Sequence, residues 1–294
     1  MTRGVLHIVR DGPTWPRELS QIAAPPDELW LRGRTELLAR GLRVAIVGTR
    51  SPTAYGEMQA RLFASELAAS GAVIVSGLAR GIDHVAHTAA LDVGGATIAV
   101  LGCGVDRPWP DTELVERIAC EGLLMSEFAP GTPPRKHHFP QRNRLISGLC
   151  QAVLVVEAAH ASGSLITARW AADQGRQVCA LPGRVDHPMA RGCHRLIREG
   201  AALVETPAEV LEELGLAPAA CAGARAPPES ATATTAEATG LHGELLSALV
   251  GETLSADDLC ERTRGGLSDV LTALVELELS GAVVRGAGAL FRLA

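Results

Sequence analysis

The amino-acid sequence predicts an α/β protein: a doubly wound, mostly parallel sheet followed by a small C-terminal winged-helix domain. Three observations carry that expectation. Short apolar runs recur at 44–47, 72–75, 96–101, 123–125, 152–156 and 178–181, without polar alternation, as strands buried on both faces require. Helical stretches at 56–70, 82–93, 112–120, 165–174 and 191–198 separate them, the order that βαβ crossovers impose. Beyond Leu216 the composition changes, and residues 241–294 hold three helical patterns and a short hairpin.

Taken in order, residues 1–42 form an N-terminal lead-in segment in which Trp15-Pro16 and Pro25-Pro26 forbid a continuous helix. Residues 43–216 make up the α/β domain. Residues 217–240, APAACAGARAPPESATATTAEATG, are small, polar or proline without any period, which is the composition of a flexible linker. In 241–294 the helices are expected at 241–250, 255–263 and 267–280, with Ser255 and Asp258 capping the second. A hairpin of 282–285 and 289–293 completes the winged-helix pattern.

The chain has 294 residues, 27 Lys+Arg against 33 Asp+Glu, and a net charge of −6, which excludes a uniformly basic nucleic-acid coat. Lys136 is the single lysine, so nearly every basic site is a planar guanidinium suited to bidentate phosphate binding. The charge is unevenly spread: residues 1–134 carry net −3, residues 135–200 net +6, and residues 201–294 net −9. Seven scattered cysteines without C-x-x-C spacing read as reduced thiols. With neither a signal-peptide pattern nor an apolar run of membrane-spanning length, a cytoplasmic protein without membrane contact is expected.

In a doubly wound sheet, ligands meet the loops at the carboxyl ends of the strands. The first such loop is Gly48-Thr49-Arg50-Ser51-Pro52, with a glycine for close approach, two hydroxyls and a guanidinium fork. The second is Ser76-Gly77-Leu78-Ala79-Arg80-Gly81. Neither contains G-x-G-x-x-G, and no G-x-x-x-x-G-K-[ST] occurs, so dinucleotide and P-loop readings lose their warrant. The third region, 135–144, holds Arg135, Lys136, Phe139, Arg142, Asn143 and Arg144 with two histidines and no acid, just before a short helix at 145–149. An aromatic ring among cations is what single-stranded nucleic acid needs, since a base stacks while guanidinium groups hold phosphates. The fourth loop, Ser162-Gly163-Ser164 with Thr167 and Arg169 behind it, again sets hydroxyls at a helix N-terminus. On this reading Gly48, Thr49, Ser51, Ser76, Gly77, Arg80, Gly81, Ser162, Gly163, Ser164 and Thr167 form the phosphate-facing loops.

No catalytic, metal or cofactor site is expected. His84 and His87 have helical H-x-x-H spacing but no third ligand, and packing is the favoured role. Asp83, Asp106 and Asp111 are not fixed together by any motif, and no G-x-S-x-G elbow is present.

The series Val44-Ala45-Ile46-Val47-Gly48-Thr49-Arg50, Ser76-Gly77-Leu78-Ala79-Arg80-Gly81-Ile82-Asp83, Phe139-Pro140-Gln141-Arg142-Asn143-Arg144-Leu145-Ile146-Ser147-Gly148-Leu149 and Ser162-Gly163-Ser164-Leu165-Ile166-Thr167-Ala168 resembles the DNA-processing protein A family, DprA or Smf. The likeness runs from about Trp15 to Leu214, with Trp15-Pro16 and Trp109-Pro110 where the family tends to have tyrosine before proline. It implies an extended Rossmann-like domain that binds single-stranded DNA, loads RecA during natural transformation, displaces single-strand-binding protein and works as a homodimer. By the same resemblance Arg50, Lys136 and Phe139 match the phosphate-binding and stacking positions, Arg142, Asn143 and Arg144 the adjoining loop, and Arg169 the next helix. With about forty residues before the first expected strand, the helical SAM-like domain that often begins members is expected to be absent. Cys150 stands where serine is common.

The last block resembles the family's winged-helix domain, yet residues 241–294 carry net −4, and Asp269, Glu276 and Glu278 fall on its third helix with no base. Phosphate would be repelled there, so a protein-contact or autoregulatory role is expected rather than duplex reading. Two alternatives to a single-strand binder stay open at this stage: a sensor of a small nucleotide, and a nucleoside-monophosphate hydrolase on a related scaffold.

Overall fold

Unbroken apolar strands must be covered on both faces, and helical crossovers supply the cover. In a computed structural model, residues 4–110, 112–216, 241–249, 252–263, 265–286 and 290–293 are described. The expected linker 217–240 lies outside them. The chain divides into two compact units, Met1–Cys221 and Ala222–Ala294.

The first unit runs β1 (Leu6–Val9), α1 (Arg17–Ser20), β2 (Glu28–Gly33), a 3-10 turn (Thr35–Ala39), β3 (Arg43–Val47), α2 (Ala54–Ala69), β4 (Val73–Ser76) and α3 (Ile82–Asp92). It continues with β5 (Ala96–Leu101), α4 (Glu113–Glu121), β6 (Leu123–Ser126), α5 (His138–Leu149), β7 (Ala152–Val155), α6 (Ser164–Asp173), β8 (Gln177–Ala180), α7 (Arg191–Arg198), β9 (Ala202–Leu203) and α8 (Pro207–Glu212). The sheet order is β1-β2-β6-β5-β4-β3-β7-β8-β9. From β6 to β9 every pair is parallel, and β1 and β2 join antiparallel at one edge. Leu19 of α1, Leu145 and Leu149 of α5, Ala168 and Ala171 of α6 and Cys193 of α7 bury one face of the sheet. Helices α2, α3, α4 and α8 bury the other, through residues such as Phe63, Ala86, Ile118 and Val210.

Two differences from the sequence reading have physical causes. The lead-in segment 1–42 is part of the sheet: in β2, Leu29 and Leu31 are fully buried while Trp30 and Arg32 are only partly so. An antiparallel strand near an edge alternates, so a search for unbroken apolar runs passes over it. The helix expected at 145–149 begins at His138. Pro140 falls in its first turn, where backbone N–H groups have no intrahelical acceptor and proline costs nothing.

The second unit contains α9 (Leu241–Ala248), β10 (Leu254–Ser255), α10 (Ala256–Thr263), α11 (Leu267–Leu279), β11 (Val283–Arg285) and β12 (Leu290–Leu293). The strands pair antiparallel in the order β10-β12-β11 around a core of Leu245, Leu259, Val270, Leu274 and Phe291. As the sequence suggests, the Ser255 hydroxyl accepts from the Asp258 N–H at 3.2 Å, and the Asp258 carboxylate accepts from the Ser255 N–H at 3.0 Å. Among the described residues no helix is long and apolar enough to cross a membrane.

His87 on α3 is fully buried, with Nδ1 2.6 Å from the Thr97 hydroxyl. That hydroxyl donates to Ile74 O, so the ring donates through Nδ1. Burial pulls its pKa down to about 3, with the charges of His84 and Arg142 adding to the fall. The folded state therefore holds this ring neutral while the unfolded chain protonates it near the ordinary value. Stability from this group is complete above pH 6.5 and falls, by up to about 1.4 kcal/mol per pH unit, as pH drops toward 3. Urea unfolding of the wild type across that range is expected to show this slope, and His87→Gln to flatten it.

Candidate functional site

Between β3 and β7 the strand order reverses direction, which opens a crevice at their carboxyl ends where ligands commonly bind. Here the chain fills part of that crevice itself. Glu157, two residues beyond β7, is 5% exposed. Its carboxylate accepts from the Thr53 N–H at 2.9 Å and the Thr53 hydroxyl at 2.6 Å, where Thr53 is the N-cap of α2. At Gly56 a Cβ would lie 2.2 Å from the same carboxylate, so only glycine fits. The Thr49 N–H donates to Glu157 O at 2.8 Å, and the Ser51 N–H faces the Thr49 hydroxyl at 3.3 Å. Backbone donors expected to meet a phosphate are thus paired within the protein. Arg50 and Ser51 remain exposed, with Gly48 and Thr49 half-buried.

The loop after β4 is closed in the same way. The Gly77 and Ala79 N–H groups donate to Asp83 at 3.0 and 3.4 Å, and Ser76, fully buried, donates its hydroxyl to Ile46 O at 2.6 Å. Gly81 has φ +82°, and a Cβ there would lie 2.4 Å from Thr49 O, so the first two loops press against each other. Ser76 and Gly77 accordingly leave the ligand-facing set, and Arg80 stays exposed at its rim.

Helix α5 brings the third region alongside. Arg135, Lys136 and His137 are exposed. His138 is buried, stacks on Phe128 with ring centres 4.1 Å apart, and has Nδ1 3.1 Å from Gly102 O. Phe139 is half-buried and lies over Gly102, whose Cβ would come within 3.0 Å of the ring. Arg142 and Arg144, expected to contact DNA, are instead buried at 4% and 7% exposure. Arg142 donates to Gly77 O at 2.7 Å and to Val100 O. Burial pulls its guanidinium down to about 10 against the opposing charge of Asp83, and the Arg50 charge adds to the fall. Burial pushes the Asp83 carboxyl up, opposed by Arg142. Arg144 grips Glu127 with two hydrogen bonds of 2.7 and 2.6 Å and donates to Ala24 O at 2.8 Å. Both arginines, expected to contact DNA, spend their guanidinium groups on partners within the protein.

Asn143 reaches toward the fourth loop, its amide 3.5 Å from Gly163 O. There the Ser162 and Ser164 hydroxyls pair at 2.8 Å, Ser164 and Thr167 are buried, and Gly163 is exposed. Arg169 is exposed but faces a groove between α6 and α7, beside Arg176, Arg195 and Leu196, on the flank of the sheet. The structure therefore leaves Arg50, Arg80, Lys136, Phe139, Asn143 and Gly163 at least partly accessible on loops and helix starts at the carboxyl ends of the strands, and Arg169 on the α6–α7 groove. Sequence reasoning missed Glu157 and the inward role of Asp83. Glu157 directly follows an apolar run, a signal that gains meaning only once β3 and β7 are known to be neighbours.

Comparison with known proteins gives a family profile described as DNA recombination-mediator protein A that matches residues 7–215. A second, described as the DprA winged helix domain, matches residues 228–289 and bears out the winged-helix reading. Protein Smf of Escherichia coli is 42% identical, over 97% of this chain and 77% of its own length. The X-ray structure of DNA processing protein A from Streptococcus pneumoniae superposes with a TM-score of 0.68 at 41% identity, covering 72% of this chain and 75% of that one. DNA processing protein A from Helicobacter pylori, whose structure is described for its single-stranded DNA binding mode, gives a TM-score of 0.65 at 32% identity, covering 73% and 98%.

The Arg144–Glu127 pair yields a stability prediction. Arg144→Ala leaves the Glu127 carboxylate, 9% exposed, without its partner and is expected to cost about 3–5 kcal/mol in urea unfolding. The double variant Arg144→Met/Glu127→Leu is expected to recover most of that loss, because no buried charge is then left alone.

Proposed function

The chain belongs to the DNA recombination-mediator protein A family, and on that premise we propose that its strand-end surface binds single-stranded DNA and presents it to the RecA recombinase. One observation supports the binding half most directly. Arg50 and Lys136 are exposed and Phe139 half-buried at the carboxyl ends of the strands, where the Thr49, Thr53 and Gly77 N–H groups are already paired inside the protein. Such a surface offers charged side-chain tips and a ring face, which suits a flexible polymer of phosphates and bases. The relative from Helicobacter pylori, described for single-stranded DNA binding, lends the same support.

The alternatives of a nucleotide sensor and a nucleoside-monophosphate hydrolase need an anion at a helix N-terminus by the switch point. That position at α2 carries the Glu157 carboxylate, which would repel a phosphate. The remainder of the reading rests on family membership: a non-catalytic cytoplasmic homodimer that displaces single-strand-binding protein and serves natural transformation. In the second unit, Asp269, Glu276 and Glu278 are exposed on α11, and we assign that unit a protein contact rather than duplex reading.

Binding isotherms with an oligothymidylate across a salt series test the core of this proposal. Arg50→Ala and Lys136→Ala are each expected to weaken binding and to lower the log–log salt slope by about 0.7. Phe139→Ala is expected to cost roughly 1–3 kcal/mol with the slope unchanged. Slopes equal to wild type in both charge variants, or displacement of the oligonucleotide by mononucleotides at matched phosphate concentration, overturn it. RecA-dependent strand exchange on DNA coated with single-strand-binding protein, with and without this protein, tests the second half.

A further inference from the structure

Of the nine Phe, Trp and Tyr side chains, all within the described residues, Trp109 alone is exposed, at 56%. Its place is not an arbitrary patch of surface. It belongs to the loop between β5 and α4, at the carboxyl end of the sheet, and that loop is held from several sides. The Gly104 N–H donates to Thr132 O at 3.0 Å, and the Gly131 N–H to both carboxylate oxygens of Asp106 at 2.9 Å. The Arg107 N–H turns back to Gly104 O at 2.9 Å. Burial pushes the Cys103 thiol up, and the nearby Trp109 backbone N–H pulls it down. Residues 129–132, to which the loop is tied, lead into Lys136 and Phe139.

Gly102 and Cys103, adjacent in the chain, serve both rings: the first supports Phe139 and the second lies beside the backbone of Trp109. Arg107, two residues before the indole, is exposed, as Lys136 is before Phe139. A cation followed closely by a ring therefore occurs twice on two interlocked loops. We propose that Trp109 is a second base-stacking platform, with Arg107 as its phosphate contact, extending the single-stranded DNA track from Phe139 onto the β5–α4 loop. The loop's hydrogen bonds hold the turn that leads into Trp109 before any ligand arrives, which lowers the ordering cost of stacking a base on it. An indole face accepts any base, so the platform lengthens the track without adding sequence preference.

The inference rests on the single-stranded DNA reading, and the test separates the two. Full-length wild type, Trp109→Ala and Trp109→Phe are titrated by anisotropy with an oligothymidylate and with an equally long strand whose residues are abasic. Trp109→Ala is expected to bind the oligothymidylate roughly 5- to 150-fold more weakly, with an unchanged salt slope, and the abasic strand as wild type does. Trp109→Phe restores most of the affinity. Equal binding by Trp109→Ala and wild type overturns the platform, as does an equal loss on the abasic strand. Failure of the wild type to bind the oligothymidylate overturns the underlying reading and the platform together.

Discussion

Where parallel strands end inside a protein, their last carbonyls and the N–H groups of the following loops must find partners or carry a desolvation cost. Buried arginines meet part of that requirement here, and one meets the like requirement where a strand begins. Arg43, 1% exposed, donates to Leu149 O at 2.6 Å, to Leu38 O at 3.0 Å and to Arg40 O, and pairs with Glu18. It thereby fastens the start of β3 to the end of α5 and to the N-terminal segment. Arg142 does the same for the ends of β4 and β5, and Arg144 for the stretch after β6. A guanidinium offers five donors in one plane and stays charged when buried beside carbonyls and a carboxylate, so one residue closes several chain ends at once.

Two carboxylates complement these cations from the donor side. Asp83 takes amides of the β4–α3 loop, and Glu157 takes the amide and hydroxyl that begin α2. Together Arg142, Arg144 and these two carboxylates pair several main-chain groups of the loops at the carboxyl ends of the strands. What faces outward includes the tips of Arg50, Arg80 and Lys136, the Ser51 hydroxyl, the half-buried Phe139 ring, the exposed Trp109 indole and Gly163.

The central strands were legible because burial on both faces leaves an unbroken apolar run, and 96–101 and 191–198 coincide with β5 and α7. Antiparallel β2 was not, since its alternation dilutes the same signal. Among the candidate residues, type and position single out Arg50, Lys136 and Phe139, and the structure leaves them accessible. Arg142 and Arg144 could not be told from them, because a guanidinium that binds phosphate and one that binds a carbonyl are the same residue in a sequence. Only the pitch of α5, which turns those two toward Gly77 O and Glu127, separates the roles. Likewise, nothing local marks Glu157 as a cap for α2, because the pairing of β3 with β7 spans more than a hundred residues.

The carboxylate seated at the start of α2 has a consequence for how a polymer would behave on this surface. A nest of backbone amides holds one phosphoryl group in one orientation, and so rewards a chain end or a defined register. With that nest filled by Glu157, every nucleotide of a strand meets the remaining partners on equal terms. A strand displaced by a single nucleotide regains the contacts it has lost. On the proposed reading, the free-energy profile along the polymer would repeat with each nucleotide rather than hold a single trap.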